Sequence, residues 1–272
     1  MHHEGNLRKL KSHLADPVEY GLPLNKIVVP LNPLIGKYIS LQYKGLIYCI
    51  HCGRKTSKSF AQGYCFPCMR SLPECDTCIV RPETCHYAEG TCRDEEWGVA
   101  HCMQDHVVYL ANSSAAKVGI TRGTQIPTRW IDQGASQALP VFRVATRLLS
   151  GKLEHILRQQ VSDRTDWRKM LRGEPEAIDL RALRDQLFET MKPSIESLVN
   201  EEEEGTIEQL HAELVDIHFP VLEYPEKVSS LNFDNTHEIH GRLLGIKGQY
   251  LILDKGVINI RKFGGYNIRL SY

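Results

Sequence analysis

The residues whose types and spacing point most directly to chemistry are the nine cysteines, which all lie within residues 49–102. The first four form two Cys-x2-Cys pairs separated by twelve residues, a spacing that lets four thiolates meet around one tetrahedral Zn²⁺. Gly53 follows the first pair and Gly63 precedes the second, where tight turns between metal ligands need a positive φ. The sequence therefore predicts a structural zinc site, with a redox or iron–sulfur role as the alternative. The predicted ligands are Cys49, Cys52, Cys65 and Cys68.

The other five cysteines indicate a second site whose ligand set the spacing leaves open. A third pair, Cys75 and Cys78, follows the first four directly, and three single cysteines come after it. One further zinc ion needs four ligands, and the favoured set is this pair plus two of the three. Four of the five thiols are also the ligand set of an iron–sulfur cluster, and buried thiols that bind nothing are a third interpretation. The three single cysteines are Cys85, Cys92 and Cys102.

Charge is spread unevenly along the chain, although 33 basic and 33 acidic side chains give a formal net charge of zero over 272 residues. Residues 1–72 carry 10 basic and 3 acidic side chains, a net of +7, and residues 115–172 carry 11 and 4, again +7. Residues 73–114 and 173–216 offset them with −6 and −10. Basic blocks balanced by acidic ones indicate a polyanion-binding surface, and charges that mix on solvated faces are the alternative.

The strand-like and helical patterns around these residues predict an α+β fold, and the chain divides into five consecutive segments. Strand-like runs precede the cysteines, and helical periodicity near 180–199 is followed by strands separated by glycines. We expect the last strands to stand alone or to close a small barrel with the N-terminal ones. The segments are an N-terminal β segment (1–48), a zinc-ribbon-like cysteine region (49–105), an α/β unit (106–162), a helical segment (163–216) and a C-terminal β-meander or barrel (217–272).

The α/β unit is predicted as strand, strand, helix, strand and helix. The runs HVVYLANSS and AAKVGITRG are strand-like and are joined by a short polar turn. Pro127 is a suitable first residue for the helix that follows, and LPVFRVATR is the third strand. An amphipathic helix over 150–161 closes the unit, because its apolar residues fall on one stripe.

The motifs of this unit resemble those of the GIY-YIG nuclease superfamily over roughly residues 106–160. Val107-Val108-Tyr109 is similar to the first motif, and Lys117-Val118-Gly119 to the second, with lysine in place of tyrosine. Arg129 stands at the place of the helix arginine, and Glu154 at the place of the metal-binding glutamate. Motifs such as CGRKTSKSFAQGYC and LLGIKGQYLILD make the whole chain similar to a bacterial zinc-binding protein family to which no activity is assigned.

The resemblance implies a β-β-α-β-α unit that cleaves phosphodiesters with the help of Mg²⁺. In such a site Glu154 binds Mg²⁺ and Arg129 grips the phosphate through two hydrogen bonds. Tyr109 orients or deprotonates the attacking water, and Lys117 stabilises the developing negative charge. Loss of the second tyrosine also fits a unit that binds nucleic acid without cutting it, so the question of enzyme or binding module stays open.

Four further residues are candidates for contact with nucleic acid. Arg122 lies in a polar turn, where a guanidinium group suits a phosphate. Trp130 offers a ring on which a base can stack, with a core position as the alternative. Arg143 and Arg147 lie on the third strand and its exit. The chain has no Walker-type phosphate loop and no GxGxxG motif, so ATP- or NAD-driven chemistry is not supported.

Three functional hypotheses follow from these observations. The first is a cytoplasmic, zinc-bound protein that acts on RNA or DNA through the GIY-YIG-like site. The second is a non-catalytic module that binds RNA or the ribosome, and the third is an iron–sulfur or thiol redox protein.

No apolar run approaches the roughly 18 residues needed to span a bilayer, and the first residues lack the apolar core of a signal peptide. We therefore expect no membrane segment, and the sequence leaves the oligomeric state open.

Overall fold

The computed structural model describes all residues from Met1 to Tyr272 and shows a mixed α/β chain with several sheets and few helices. None of the helices combines the length and apolar composition needed to cross a membrane. The strands are β1 (His2–Asn6), β2 (Lys11–His13), β3 (Glu19–Leu24), β4 (Ile27–Pro30), β5 (Tyr38–Tyr48), β6 (Lys55–Thr56), β7 (His106–Asn112), β8 (Ala116–Arg122), β9 (Gln137–Val144), β10 (Ile207–Gln209), β11 (Val215–Asp216), β12 (Glu238–Lys247), β13 (Tyr250–Leu253), β14 (Gly256–Asn259) and β15 (Tyr266–Ser271). The helices are α1 (Phe66–Ser71), α2 (Glu95–His101), α3 (Thr128–Asp132), α4 (Arg147–Leu157), α5 (Trp167–Met170) and α6 (Leu180–Glu201).

The largest sheet joins the two ends of the chain. Its strands run in the order β1-β15-β5-β12-β13-β14, and β6 pairs with β5. The meander β12–β14 does not stand alone, because β12 pairs antiparallel with β5 and β15 lies between β1 and β5. The first and last predicted segments, 1–48 and 217–272, therefore share one sheet, while β2, β3 and β4 form a separate small sheet.

The central sheet has the order β10-β9-β7-β8, with β11 also paired to β9. Its elements β7, β8, α3, β9 and α4 follow one another in the predicted sequence of strand, strand, helix, strand and helix. In the β7–β8 hairpin, Tyr109 lies opposite Gly119. The edge strands β10 and β11 come from the segment predicted to be helical, since three and two residues are too few to show the alternation of a strand.

The two faces of the central sheet are covered by different layers. Tyr109 and Ala111 of β7 point into the core shared with the large sheet. Val108 and Leu110 point to the opposite side, where they pack with apolar residues of α4 and α6. All seven residues of β7 are buried, as expected for a strand covered on both faces. The outer strand β8 and the start of α4 remain at the edge of this packing.

Helix α4 begins three residues before its predicted start. The side chain of Thr146 accepts a hydrogen bond from the backbone N–H of Leu149 at 3.2 Å and so caps the helix. Strand β9 ends at Val144, and Arg147 is consequently the first residue of α4 rather than the exit of the strand. The Arg147 side chain reaches the cysteine region, where it donates to the carbonyls of Cys78 and Ile79.

Candidate metal centre and basic pocket

The first four cysteines come from two turns that the end of β5 and the start of α1 hold together. Cys49 directly follows β5, and Cys65 directly precedes α1. The N–H of Ile50 donates to the carbonyl of Gly63 at 2.8 Å and ties the two turns together. Gly53 and Gly63 have φ values of +72° and +148°, as predicted, and a Cβ on Gly63 would lie 2.6 Å from the Ile50 side chain.

The geometry of this four-cysteine cluster suits a metal ion such as zinc. The sulfur atoms of Cys49, Cys52, Cys65 and Cys68 all lie within 4.8 Å of one another. The Sγ atoms of Cys52 and Cys65 are 3.8 Å apart, and four sulfurs at about 2.3 Å from a tetrahedral ion stand about 3.8 Å apart. The predicted ligand set therefore converges, and the cluster can hold a metal ion.

Backbone N–H groups favour the thiolate form of Cys49, one of the four cysteines. Burial raises the pKa of the Cys49 thiol, but the N–H groups of Cys52, Cys65 and His51 point at its sulfur and outweigh that effect. The net result lowers the pKa of Cys49 to about 6. Metal ligation requires the thiolate, and the lowered pKa of Cys49 favours that form.

The later cysteines divide differently from the prediction. Cys78 lines a small enclosed cavity together with the three single cysteines Cys85, Cys92 and Cys102. Cys75 is absent from that cavity, and the charged groups that act on its thiol are Glu74, Arg93 and Cys49. The structure therefore groups Cys78 with the three single cysteines, whereas the prediction grouped it with Cys75. The reason is that each cysteine sits in its own 3₁₀ turn, Pro73–Cys75 and Thr77–Ile79.

A second candidate site, the basic pocket, opens at the edge of the central sheet. Its volume is about 450 Å³. Strand β8, helix α3 and helix α4 supply most of the polar side chains, and one wall is formed by the chain from Ile79 to Pro82. The charged residues that line it are Lys117, Arg122, Arg129, Arg147, Glu154 and Asp163.

Three charged residues of the pocket, Lys117, Arg129 and Glu154, form no salt bridge within 4.0 Å. Asp163, in contrast, pairs with Arg158 at 3.6 Å and Arg164 at 3.9 Å. Burial and the neighbouring Arg129 lower the pKa of Lys117 to about 8. Burial and the neighbouring Asp163 raise the pKa of Glu154 to about 7. Such shifts by burial and like charge are typical of sites that await a ligand.

Tyr109 lies beneath the pocket rather than in it. Its side chain is fully buried, and its hydroxyl oxygen would be 2.7 Å from a Cβ placed on Gly119, a pocket residue. The side chains of Gln133 and Arg129, two pocket residues, are the polar groups that act on this hydroxyl. Burial raises its pKa, so the phenol keeps its proton at neutral pH. Only glycine at position 119 leaves room between the hydroxyl and the pocket.

The four residues predicted to contact nucleic acid have different positions. Arg122 lines the pocket. Arg147 also lines it, but its guanidinium donates to the carbonyls of Cys78 and Ile79 at 3.4 and 2.6 Å. Arg143 lies on the exposed side of β9 and pairs with Glu208 at 3.0 Å, outside the pocket.

Trp130 belongs to the core, which corrects its assignment as a base-stacking residue. Its side chain is 2% exposed. Its ring meets that of Tyr109 edge to face at 5.9 Å between centroids. A buried ring offers no face to a nucleic-acid base.

Asp163 is the pocket residue that sequence reasoning missed. The N–H of Val118 donates to the carbonyl of Ser162 at 2.9 Å, and this contact returns the chain to β8 after α4. Asp163 thereby joins Lys117 and Glu154 in the pocket. In the sequence it follows an amphipathic helix where capping is the simpler role, and only the tertiary contact reveals its place.

Comparison with known proteins identifies a family but no characterised relative. The family described as "Protein of unknown function (DUF2797)" matches residues 36–268, which include both cysteine groups and the basic pocket. No curated protein matches the chain, and no solved structure matches it either. The match covers most of the 272 residues, and the chain belongs to the DUF2797 family.

Proposed function

We propose that this protein binds zinc at the four-cysteine cluster and acts on nucleic acid, whose phosphodiester it binds and cleaves in the basic pocket. The observation that carries the proposal is the meeting of Lys117, Arg129 and Glu154 in one pocket without salt-bridge partners. These residues are the ones that the resemblance to GIY-YIG nucleases singles out. RNA and DNA offer the same phosphodiester, and the substrate test below includes both.

The cationic side chains are suited to hold the phosphate. Arg129 is in no salt bridge, and its guanidinium can donate two parallel hydrogen bonds to phosphate oxygens. Arg122 adds charge at the rim. The chain around the pocket carries the +7 block of residues 115–172, which favours approach of a polyanion.

The two carboxylates are suited to a divalent cation. Glu154 and Asp163 line the same pocket, and the charge of Asp163 is one reason why the pKa of Glu154 rises to about 7. A cation between them would offset this repulsion, and carboxylate oxygens are the ligands that Mg²⁺ takes in proteins. When bound, Mg²⁺ would supply a Lewis acid that polarises the phosphate.

Lys117 takes the place of the tyrosine in the second motif and can take its chemical role. With a pKa of about 8, roughly a tenth of the lysine is neutral at pH 7 and can accept a proton from water. Tyr109 cannot serve as this base, because burial raises its pKa and keeps the phenol protonated. Tyr109 instead offers a hydroxyl donor next to Gly119.

A second candidate function is binding of nucleic acid without cleavage. The same lysine favours it, because protonated Lys117 leaves the pocket with four cations against two carboxylates. Such a pocket holds a phosphate but has no base to activate water. Binding would then weaken steeply as salt rises, with no product formed under any metal.

The test is cleavage of labelled single-stranded and hairpin RNA and DNA with and without Mg²⁺. We expect Mg²⁺-dependent cleavage by the natural protein and a loss of about 10²–10³-fold in Glu154→Gln and Arg129→Ala. Arg143→Ala is the matched control, since Arg143 pairs with Glu208 outside the pocket, and it should cleave normally. Full activity in both pocket variants would refute the assignment. Arg129-dependent binding with no product would select the second candidate.

A further inference from the structure

We propose that this chain holds a second zinc ion, separate from the four-cysteine cluster, with four further thiols as its ligands. These thiols line one enclosed cavity of about 10 Å³. A space of this size admits one ion or one water molecule, so the iron–sulfur cluster considered from the sequence does not fit it. The proposed ligands are Cys78, Cys85, Cys92 and Cys102.

Each of the four cysteines reaches the cavity from a different turn of the chain. Cys78 lies within one 3₁₀ turn, and Cys85 directly follows another. Cys92 comes shortly before α2, and Cys102 directly follows that helix. Separations of six, six and nine residues include none of the close pairs that are typical of structural zinc sites. The ligand set is therefore visible in the folded chain and not in the spacing.

The segment that carries these cysteines, residues 73–105, has no apolar core of its own. The three clusters of buried apolar side chains include none of its residues. Its backbone forms four 3₁₀ turns and the seven-residue helix α2, and no strand. Its buried residues are two prolines, one glycine and two of the proposed ligands, Cys78 and Cys102. A segment built in this way needs another source of folding free energy, which a structural zinc ion supplies.

Two arginines are placed to balance the charge of such a site. A zinc ion with four thiolates carries a net charge of −2. Arg93 lines the cavity. The N–H of Arg147 donates to the carbonyl of Cys102 at 2.8 Å, and its guanidinium donates to the carbonyl of Cys78 at 3.4 Å. Burial raises the pKa of both thiols, and the positive charge of Arg147 acts in the opposite direction.

Helix α2 approaches the cavity at a glycine. A Cβ on Gly98 would lie 3.3 Å from the Cys92 sulfur and 2.6 Å from the Tyr87 ring. A larger residue would push the helix away from Cys92 and would move Cys102, which follows the helix directly. The absence of a side chain at position 98 therefore keeps two of the four ligands close to each other.

Asp76 and His86 form a competing set with Cys78, because the ligand atoms of these three residues lie within 4.8 Å of one another. Both side chains have protein partners. Nε of Arg93 lies 2.6 Å from Asp76, and Nδ1 of His86 lies 2.8 Å from the hydroxyl of Thr91. Ligation by Asp76 would break its ion pair, whereas the four thiols give up no such pair. The competing set also supplies three ligands, one fewer than a closed tetrahedral site needs.

The second ion would hold one wall of the basic pocket. Cys78 and Cys85 flank the segment 79–84, part of which lines that pocket. Gly151 of α4 comes so close to this segment that an added Cβ would lie 2.3 Å from the backbone nitrogen of Glu83. An ion bound at both ends of the segment would therefore fix its contact with α4. The zinc assignment itself does not depend on the chemistry proposed for the pocket.

The test combines metal analysis with zinc X-ray absorption on the full-length protein. We expect about two zinc ions per chain, both with sulfur as the only ligand. Cys85→Ser and Cys92→Ser should each lose about one zinc and keep the other, whose retention reports an intact first cluster. Cys75→Ser is the matched control and should keep both ions, since Cys75 lies outside the cavity. The spectrum of the natural protein tests the ligands even where a variant fails to fold.

Three results would overturn the proposal. The first is about one zinc per chain in the natural protein, unchanged after dialysis against zinc and lost in Cys52→Ser, which would leave only the first cluster. The second is a nitrogen ligand in the zinc spectrum, with one zinc lost in His86→Ala and none in Cys85→Ser, which would assign the ion to the competing set. The third is one zinc lost in Cys75→Ser and none in Cys85→Ser, which would make Cys75 the ligand.

Discussion

Replacement of Lys117 by methionine should stabilise the protein while it destroys the function. Lys117 is 4% exposed and has no salt-bridge partner, so folding transfers its ammonium group out of water at a cost. Its pKa falls from 10.5 to about 8. A difference of about 2.5 units corresponds to about 3 kcal/mol. Methionine fills a similar volume without the charge, so Lys117→Met should gain up to about 3 kcal/mol in the free energy of unfolding at pH 7.

The pH dependence of this gain has a defined sign. Because the pKa of Lys117 is lower in the folded chain than in the unfolded one, the charge penalty is complete below pH 8. It shrinks as the pH rises from about 8 to 10.5, where both states hold a neutral lysine. The advantage of Lys117→Met should therefore be largest near neutral pH and fade in alkali.

Urea denaturation of the natural protein and Lys117→Met at pH 7 and pH 9.5 measures this difference. Lys255→Met is the matched control, since Lys255 is exposed and in no salt bridge, and we expect a change within about 0.5 kcal/mol. Phosphodiester cleavage should be lost in Lys117→Met. An equal or lower stability of Lys117→Met at pH 7 would refute the reasoning, because it would show that the buried charge is compensated in the fold.

Three further predictions concern the rest of the site. The cleavage rate should rise with pH between about 7 and 8, because Glu154 must lose its proton near pH 7 and Lys117 near pH 8; a flat or falling pH–rate profile would contradict these roles. Cys52→Ser should lose one zinc per chain, measured by metal analysis, and its turns after β5 should become sensitive to limited proteolysis. Unchanged zinc content would exclude Cys52 as a ligand. Gly151→Val should cost about 1–3 kcal/mol in urea denaturation, because its side chain would overlap the backbone of Glu83, and an unchanged midpoint would mean that the wall is free to move.

Local sequence patterns were sufficient to predict the ligands of the first metal cluster and the order of strands and helices in the central unit. Four cysteines in two close pairs predict one ion, and the structure brings their sulfurs together. The resemblance to a nuclease motif selected Lys117, Arg129 and Glu154, which line one pocket. In each case the information lies in residue type and short separation, which a single sequence carries.

The remaining features depend on contacts between distant parts of the chain. The pairing of β5 with β12 and β15 joins residues about 200 positions apart, and no local pattern encodes it. Asp163 enters the pocket through the contact of Ser162 with Val118. Trp130 was assigned to nucleic-acid binding because a ring on a short helix can be exposed or buried. Its contact with the buried Tyr109 ring places it in the core.

The most direct measurement of the central claim is a structure of the protein with a short oligonucleotide and Ca²⁺, which takes oxygen ligands like those of Mg²⁺. We expect a phosphate held by Arg129 and Lys117 in the basic pocket, with the cation bound to Glu154 and Asp163. Nucleic acid bound elsewhere on the chain, with the basic pocket holding neither phosphate nor cation, would contradict the proposed site.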